Sequence, residues 1–163
     1  MALDAEMRHP HLATSLTLVD TPAPGRLNVR RAAAEAQFAS VDATTVGLSQ
    51  LMFPGTQDDL RTAWLQRIGQ VSPDDITAKA VEEEAEVAES VRHDVVLSNG
   101  LHGVDVPVHV VTGTVDALVP EVNGIRIARS IPDASLLELA ESGYAAVVVD
   151  QSQFIAALTA PAK

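Results

Sequence analysis

The stretch that decides the fold is Val106-Pro-Val-His-Val-Val-Thr-Gly113, which leads to Asp116 and then to a helical pattern. A second apolar run, Ser135–Leu139, follows that helix and leads to Gly143-Tyr144. A β-branched run, a turn, a helix and a second run are the repeating units of a parallel sheet. Polar residues follow both runs, at the strand ends where open α/β sheets build their sites. The stretch therefore predicts an α/β fold with a candidate site at one edge of the sheet.

Composition indicates a soluble globular protein. The 163 residues suffice for one domain with a core, and 47% of them are hydrophobic. The net charge of −11 argues against binding to nucleic acid or to anionic membranes. No apolar run approaches the roughly 20 residues that span a bilayer, and the amino terminus does not resemble a signal peptide. We therefore expect a cytoplasmic protein, without disulfides or thiolate metal sites because it has no cysteine.

The chain divides into three predicted parts. Residues 1–26 contain a helix over Met1–Arg8 and a strand over Ser15–Val19, and residues 27–98 form a helical lid insertion. Residues 99–163 carry the carboxyl-terminal core, with two strands and helices from Pro120 and over Gln151–Leu158. A helix that connects strands normally has a strand before it, so the chain is expected to start in the middle of a fold.

Within the predicted lid, one helix carries Leu60, Trp64 and Ile68 on one face. A second helix starts at Ser72-Pro73 and runs to about Val91, with a solvated run of glutamates along it. Asn99-Gly100 is typical of a turn between the lid and the core.

This order of elements resembles the carboxyl-terminal half of an α/β-hydrolase, over nearly the whole chain. The resemblance implies about three parallel strands with flanking helices and a lid. Met1–Pro10 is similar to the end of the helix after the nucleophile elbow, and Ser15–Thr21 is similar to the sixth strand. Val106–Pro120 is similar to the seventh strand and the turn that carries the catalytic acid. Ile131–Gly143 is similar to the approach to the histidine turn, and Asp150–Phe154 to the start of the final helix.

The nucleophile of that family lies in a Gly-x-Ser-x-Gly turn between a strand and a helix. The nearest match, Gly47-Leu-Ser-Gln-Leu51, lacks the last glycine and lies on the wrong side of the sixth strand. We expect Ser49 to be a helix or turn serine, and the family's elbow and oxyanion hole would precede Met1.

The family's acid and base positions fall on Asp116 and Tyr144. Asp116 is either the catalytic acid or a structural aspartate that binds backbone amides in a tight turn. Tyr144 stands in place of the family histidine, and all five histidines precede Asp116. A phenol, with a pKa near 10, is a poor general base at neutral pH. Asp20, where some members keep the acid, is expected to be a strand-end residue.

Other candidate sites are weak. His9 and His11 flank Pro10 without a further ligand at metal spacing, and His109 alternates with valines as a structural histidine would. No phosphate-binding glycine loop is present. Neither a metal nor an organic cofactor is predicted.

The predicted function is that of a partial α/β-hydrolase that does not hydrolyse substrates alone, with a role in binding or assembly and a lid cavity for a small molecule. The alternative is a hydrolase of small esters or lactones whose nucleophile comes from upstream sequence or from another chain. An uncovered sixth strand would be an open edge, which a second copy, a partner chain or a lid helix can cover, and of these we expect self-association.

Overall fold

The computed structural model describes residues 2–30, 49, 52–53, 55, 57–68, 86–87, 89–144 and 151–159. Among these residues, three parallel strands form one sheet in the order β1-β2-β3: β1 Leu16–Val19, β2 Val108–Gly113 and β3 Ala134–Leu139. The helices are α1 Ala2–Arg8, α2 Asp58–Ile68, α3 Val95–Gly100, α4 Val122–Ser130 and α5 Gln151–Thr159. Short 3₁₀ turns cover Gly25–Leu27 and Leu101–Gly103. The predicted α/β class and the parallel sheet are confirmed.

The central strand β2 is buried along its whole length, as its valine-rich sequence requires for a strand with neighbours on both edges. Val108 pairs with Leu16 of β1 and with Ala134 of β3. Each crossover between these strands contains helices, which is how parallel strands are joined.

The two faces of the sheet carry different cores. One face holds the larger cluster, in which Val108 and Val110 pack with Ile127 of α4 and with Leu3 of α1. The opposite face holds a smaller cluster in which Val111 and Leu139 are buried and Phe154 of α5 packs against them. In the part of the chain that the structure describes, no helix is both long and apolar enough to cross a membrane.

The prediction of a turn at Asn99-Gly100 is wrong, because these two residues form the end of α3. Asp94 caps that helix, since its Oδ1 accepts a hydrogen bond of 2.7 Å from Leu97 N. The helix predicted from Ser72 to about Val91 lies largely outside the described residues, although residues 86–87 and 89–93 are helical.

Candidate functional site

Asp116 sits in the turn that follows β2 and is 1% exposed. Its backbone N–H donates to Gly113 O at 3.3 Å, which closes the turn. Its Oδ1 accepts hydrogen bonds from Leu118 N at 2.7 Å and from Val119 N at 2.9 Å. These bonds fit the structural role expected for a turn aspartate, and they also fix one carboxylate oxygen in the place that the resemblance gives to a catalytic acid.

The turn that follows β3 packs directly on the turn that carries Asp116, which we call the acid turn. Val115 N donates to Ser142 O at 3.1 Å, and Glu141 N donates to Thr114 Oγ1 at 3.0 Å. Ser142 is buried, whereas Tyr144 is 41% exposed. Asp116 and Tyr144 therefore lie on neighbouring turns at the carboxyl edge of the sheet, as the order of the strands predicted.

A second buried carboxylate, Asp20, lies at the same edge. Its Oδ1 accepts a hydrogen bond from Gly113 N at 3.2 Å, and its own N–H donates to Val111 O at 3.0 Å. Its backbone is in the left-handed region, with φ of 42°, which aspartate tolerates better than most residues. Asp20 is a strand-end residue, as expected. The sequence did not reveal that its carboxylate ties β1 to the last residue of β2.

Ser49, the serine of the near match to the nucleophile motif, lies before α2 in the chain. It lies in helical backbone, its carbonyl accepts from Phe53 N at 3.0 Å, and it is fully buried. This local geometry is that of a helix serine and differs from the strand-to-helix turn that a nucleophile elbow requires.

Gln57, at the start of α2, reaches the turn after β3. Its Nε2 donates to Glu141 O at 2.8 Å, three residues before Tyr144. Phe53 and Trp64 form an aromatic pair next to it in the chain, with ring centroids 5.8 Å apart. Part of the predicted lid therefore contacts the candidate site, and no sequence motif marked Gln57 for this contact.

The histidines lie elsewhere. His109 Nδ1 is 2.9 Å from Ser135 Oγ on the paired strand β3, which is the structural role expected for it. His9 and His11 are exposed on the chain after α1. Within the described ranges, no three His, Cys, Asp or Glu side chains are grouped as metal ligands.

Comparison with known proteins gives structural neighbours only. No protein-family model matches the chain, and no curated protein matches it. An alpha/beta hydrolase fold protein from Chitinophaga pinensis is 14% identical, with a TM-score of 0.68 over 95% of this chain. Est816, described as an N-acyl homoserine lactone degrading enzyme, is 18% identical, with a TM-score of 0.68 over 96% of this chain. The esterase EaEST from Exiguobacterium antarcticum is 16% identical, with a TM-score of 0.66 over 96% of this chain.

The chain spans only part of each neighbour: 58% of the Chitinophaga protein, 61% of Est816 and 60% of EaEST. At these identities the likeness establishes the fold and no activity. Three parallel strands with flanking helices, matched over nearly the whole of this chain, show that it has a partial α/β-hydrolase fold.

Proposed function

We propose that this chain does not hydrolyse esters by itself and that it acts through assembly. The observation that carries the first half is Tyr144 on the turn beside the acid turn, where the resemblance calls for a histidine. A phenol does not remove the proton of a serine hydroxyl efficiently at neutral pH, so a serine near this edge would not be activated. In this proposal Asp116 has a structural role: its Oδ1 accepts hydrogen bonds from Leu118 N and Val119 N and thereby stabilises the turn.

An esterase assay with aryl acetates tests this half of the proposal. We expect the purified chain to release no more phenol than buffer does, and the Asp116→Ala variant to give the same background. Tyr144→His alone should also stay at background, because a base without a nucleophile does not complete a triad. Turnover by the natural chain that Asp116→Ala abolishes would overturn the proposal.

The assembly half rests on the outer edge of β1. The N–H groups of Leu16 and Asp20 donate toward β2, to Pro107 O and Val111 O. Backbone groups of successive strand residues point to opposite edges, so the N–H and C=O of Thr17 and the N–H of Val19 point outward. Within the described residues no strand pairs with this edge. Open strand edges recruit partners unless they are covered.

A second copy of the chain fits this edge. Two β1 strands related by a two-fold axis run antiparallel, and such an axis opposite Thr17 lets the two threonines exchange both of their outward hydrogen bonds. Cross-strand threonine pairs are favourable, and β1 itself, Leu16–Val19, carries no charge that would repel its copy. The exposed Thr17 side chain leaves room for the approach.

Light scattering during size exclusion tests the dimer. We expect twice the mass of one chain at micromolar concentration, and a monomer for Thr17→Pro, which removes the outward N–H without touching the bonds to β2. Thr17→Ala keeps that N–H and should remain dimeric. Circular dichroism would verify that the proline variant is folded. A strict monomer for the natural chain would overturn the assembly proposal.

The alternative function is hydrolysis of small esters or lactones with a nucleophile from upstream sequence or from another chain. Two observations favour it: Asp116 occupies an ordered acid turn, and the structural neighbours include an esterase and an enzyme described as degrading a lactone. A fluorophosphonate probe labels activated serines. Labelling of a mixture of this chain with a partner, lost in Asp116→Ala, would support the alternative over the first proposal.

A further inference from the structure

Two stretches, residues 23–30 and 89–98, flank segment 31–88 in the chain, and α2 belongs to that segment. We call these two stretches the neck. Gly25 has φ of 51°, and a Cβ added to it would lie 2.6 Å from Asp94 O and 2.8 Å from Ser98 Oγ. Arg30 Nη1 lies 4.0 Å from Glu89 Oε1. The two stretches of the neck therefore lie side by side, and Gly25 permits the close approach.

Asn123, in the first turn of α4, binds one of these stretches through its side chain. Its Oδ1 accepts from Val29 N at 2.8 Å and from Ala23 N at 3.4 Å, and its Nδ2 donates to Val29 O at 2.9 Å. The same Nδ2 donates to Pro120 O at 3.0 Å, where the acid turn passes into α4. The residue is 1% exposed. One buried amide thus uses both of its donor hydrogens and both of its acceptor sites.

Further contacts keep residues 23–29 in the shape that Asn123 binds. Asn28 Nδ2 donates to Ala23 O at 2.8 Å, and Leu27 N donates to Pro24 O at 3.1 Å. Arg126, one turn after Asn123 on α4, donates from Nη1 to Leu27 O at 3.0 Å. Removing the Asn123 amide would take away the hydrogen bonds that it makes to the N–H and C=O of Val29, and a polar group left unpaired away from water is costly.

We propose that Asn123 is a positioning residue that fixes the neck to the acid turn, so that α2 and the carboxyl edge of the sheet unfold as one unit. The coupling passes from Pro120 through the Asn123 amide to Val29, and it acts beside the direct bond from Gln57 Nε2 to Glu141 O. It does not depend on whether the chain hydrolyses a substrate.

The chain provides its own reporter for this coupling. Trp64 is its only tryptophan, lies in α2, and packs near Phe53, so its fluorescence reports on the segment that the neck flanks. Hydrogen exchange of the amides of β1 and β2 reports on the sheet.

The experiment compares urea unfolding of the natural chain and of Asn123→Ala by Trp64 fluorescence and by hydrogen exchange of the sheet. For the natural chain we expect one midpoint by both measurements. For Asn123→Ala the Trp64 midpoint should fall below the sheet midpoint, and amides of residues 23–30 should exchange on the order of tenfold faster relative to those of β2. Asn123→Asp keeps the acceptor oxygens but loses the donors, so its Trp64 midpoint should lie between those of the natural chain and of Asn123→Ala.

Val111→Ala is the matched control, because Val111 is buried in β2 on the face that carries Leu139 and Phe154, away from the neck. It should lower both midpoints together. If Asn123→Ala also lowers both together, or lowers neither, the proposed coupling is wrong.

Discussion

Gly113, the last residue of β2, lies against the backbone of Ser142 so closely that a Cβ on the glycine would clash with Ser142 O and lie 2.6 Å from Gly143 O. Gly113 also donates its N–H to Asp20 Oδ1 at 3.2 Å and accepts from Asp116 N at 3.3 Å. One glycine thus joins the ends of all three strands. The acid turn and the turn before Tyr144 are adjacent because no side chain separates them.

Gly113→Ala should destabilise the chain by about 1–3 kcal/mol, because the added methyl group forces two backbone turns apart. Urea denaturation followed by circular dichroism measures the loss. Gly103→Ala is the matched control, since a Cβ there meets no atom within 4 Å, and its free energy of unfolding should stay near the natural value. Equal stability of the two variants would show that the turns separate without cost.

Asp116→Ala should lower the free energy of unfolding by about 1–3 kcal/mol, because Leu118 N–H and Val119 N–H both lose the oxygen that they bind. Asp116→Asn keeps one side-chain carbonyl oxygen and should lose less. Thermal unfolding of the three proteins measures the order. An Asn variant as unstable as the Ala variant would show that the negative charge, rather than the acceptor geometry, holds the turn.

The elements that the sequence predicted well are those whose signal is local. The valine run before Gly113 specifies a buried strand, and the spacing after Pro120 specifies α4, so the sheet and its parallel order follow from neighbouring residues. The same local signals place Asp116 and Tyr144 after two paired strands. α3 was missed because Asn99-Gly100 looks like a turn, whereas the cap at Asp94 starts a helix.

The contacts that build the site were not predictable in this way, because they join residues far apart in the chain. Asn123 meets Val29 across 94 positions, Asp20 meets Gly113 across 93, and Gln57 meets Glu141 across 84. Each is a single polar side chain bound to a backbone group, and such a pair leaves no periodic pattern. The backbone partner of such a side chain can be identified only after the order of the strands is known.

Glu89 predicts a pH dependence at the neck. Hydrogen bonds to the Glu89 carboxylate lower its pKa below the usual value; the bond from His93 has the larger effect and the bond from Arg92 the smaller one. A carboxyl whose pKa is lower in the folded state contributes stability above its unfolded pKa, and loses that contribution as the pH falls through the folded pKa. The effect should be small and weakened by salt, because the group is exposed. Glu89→Gln should therefore narrow the stability difference between neutral and acidic pH, measured by urea midpoints. An unchanged pH profile would contradict the assignment.

Glu141→Gly should stabilise the chain. Glu141 has φ of 56°, a left-handed backbone that costs a residue with a Cβ about 1–2 kcal/mol. Glycine removes that cost but loses more chain entropy on folding, by about 0.5–1 kcal/mol, so a net gain of a few tenths to about 1 kcal/mol is expected. The bonds at this position use the backbone, from Gln57 Nε2 to Glu141 O and from Glu141 N to Thr114 Oγ1, and both survive the change. Glu141→Ala is the control: it removes the same exposed side chain and keeps the strain, so it should not gain stability. If alanine stabilises as much as glycine in urea denaturation, the gain comes from loss of the negative charge on a chain of net charge −11 and not from the backbone.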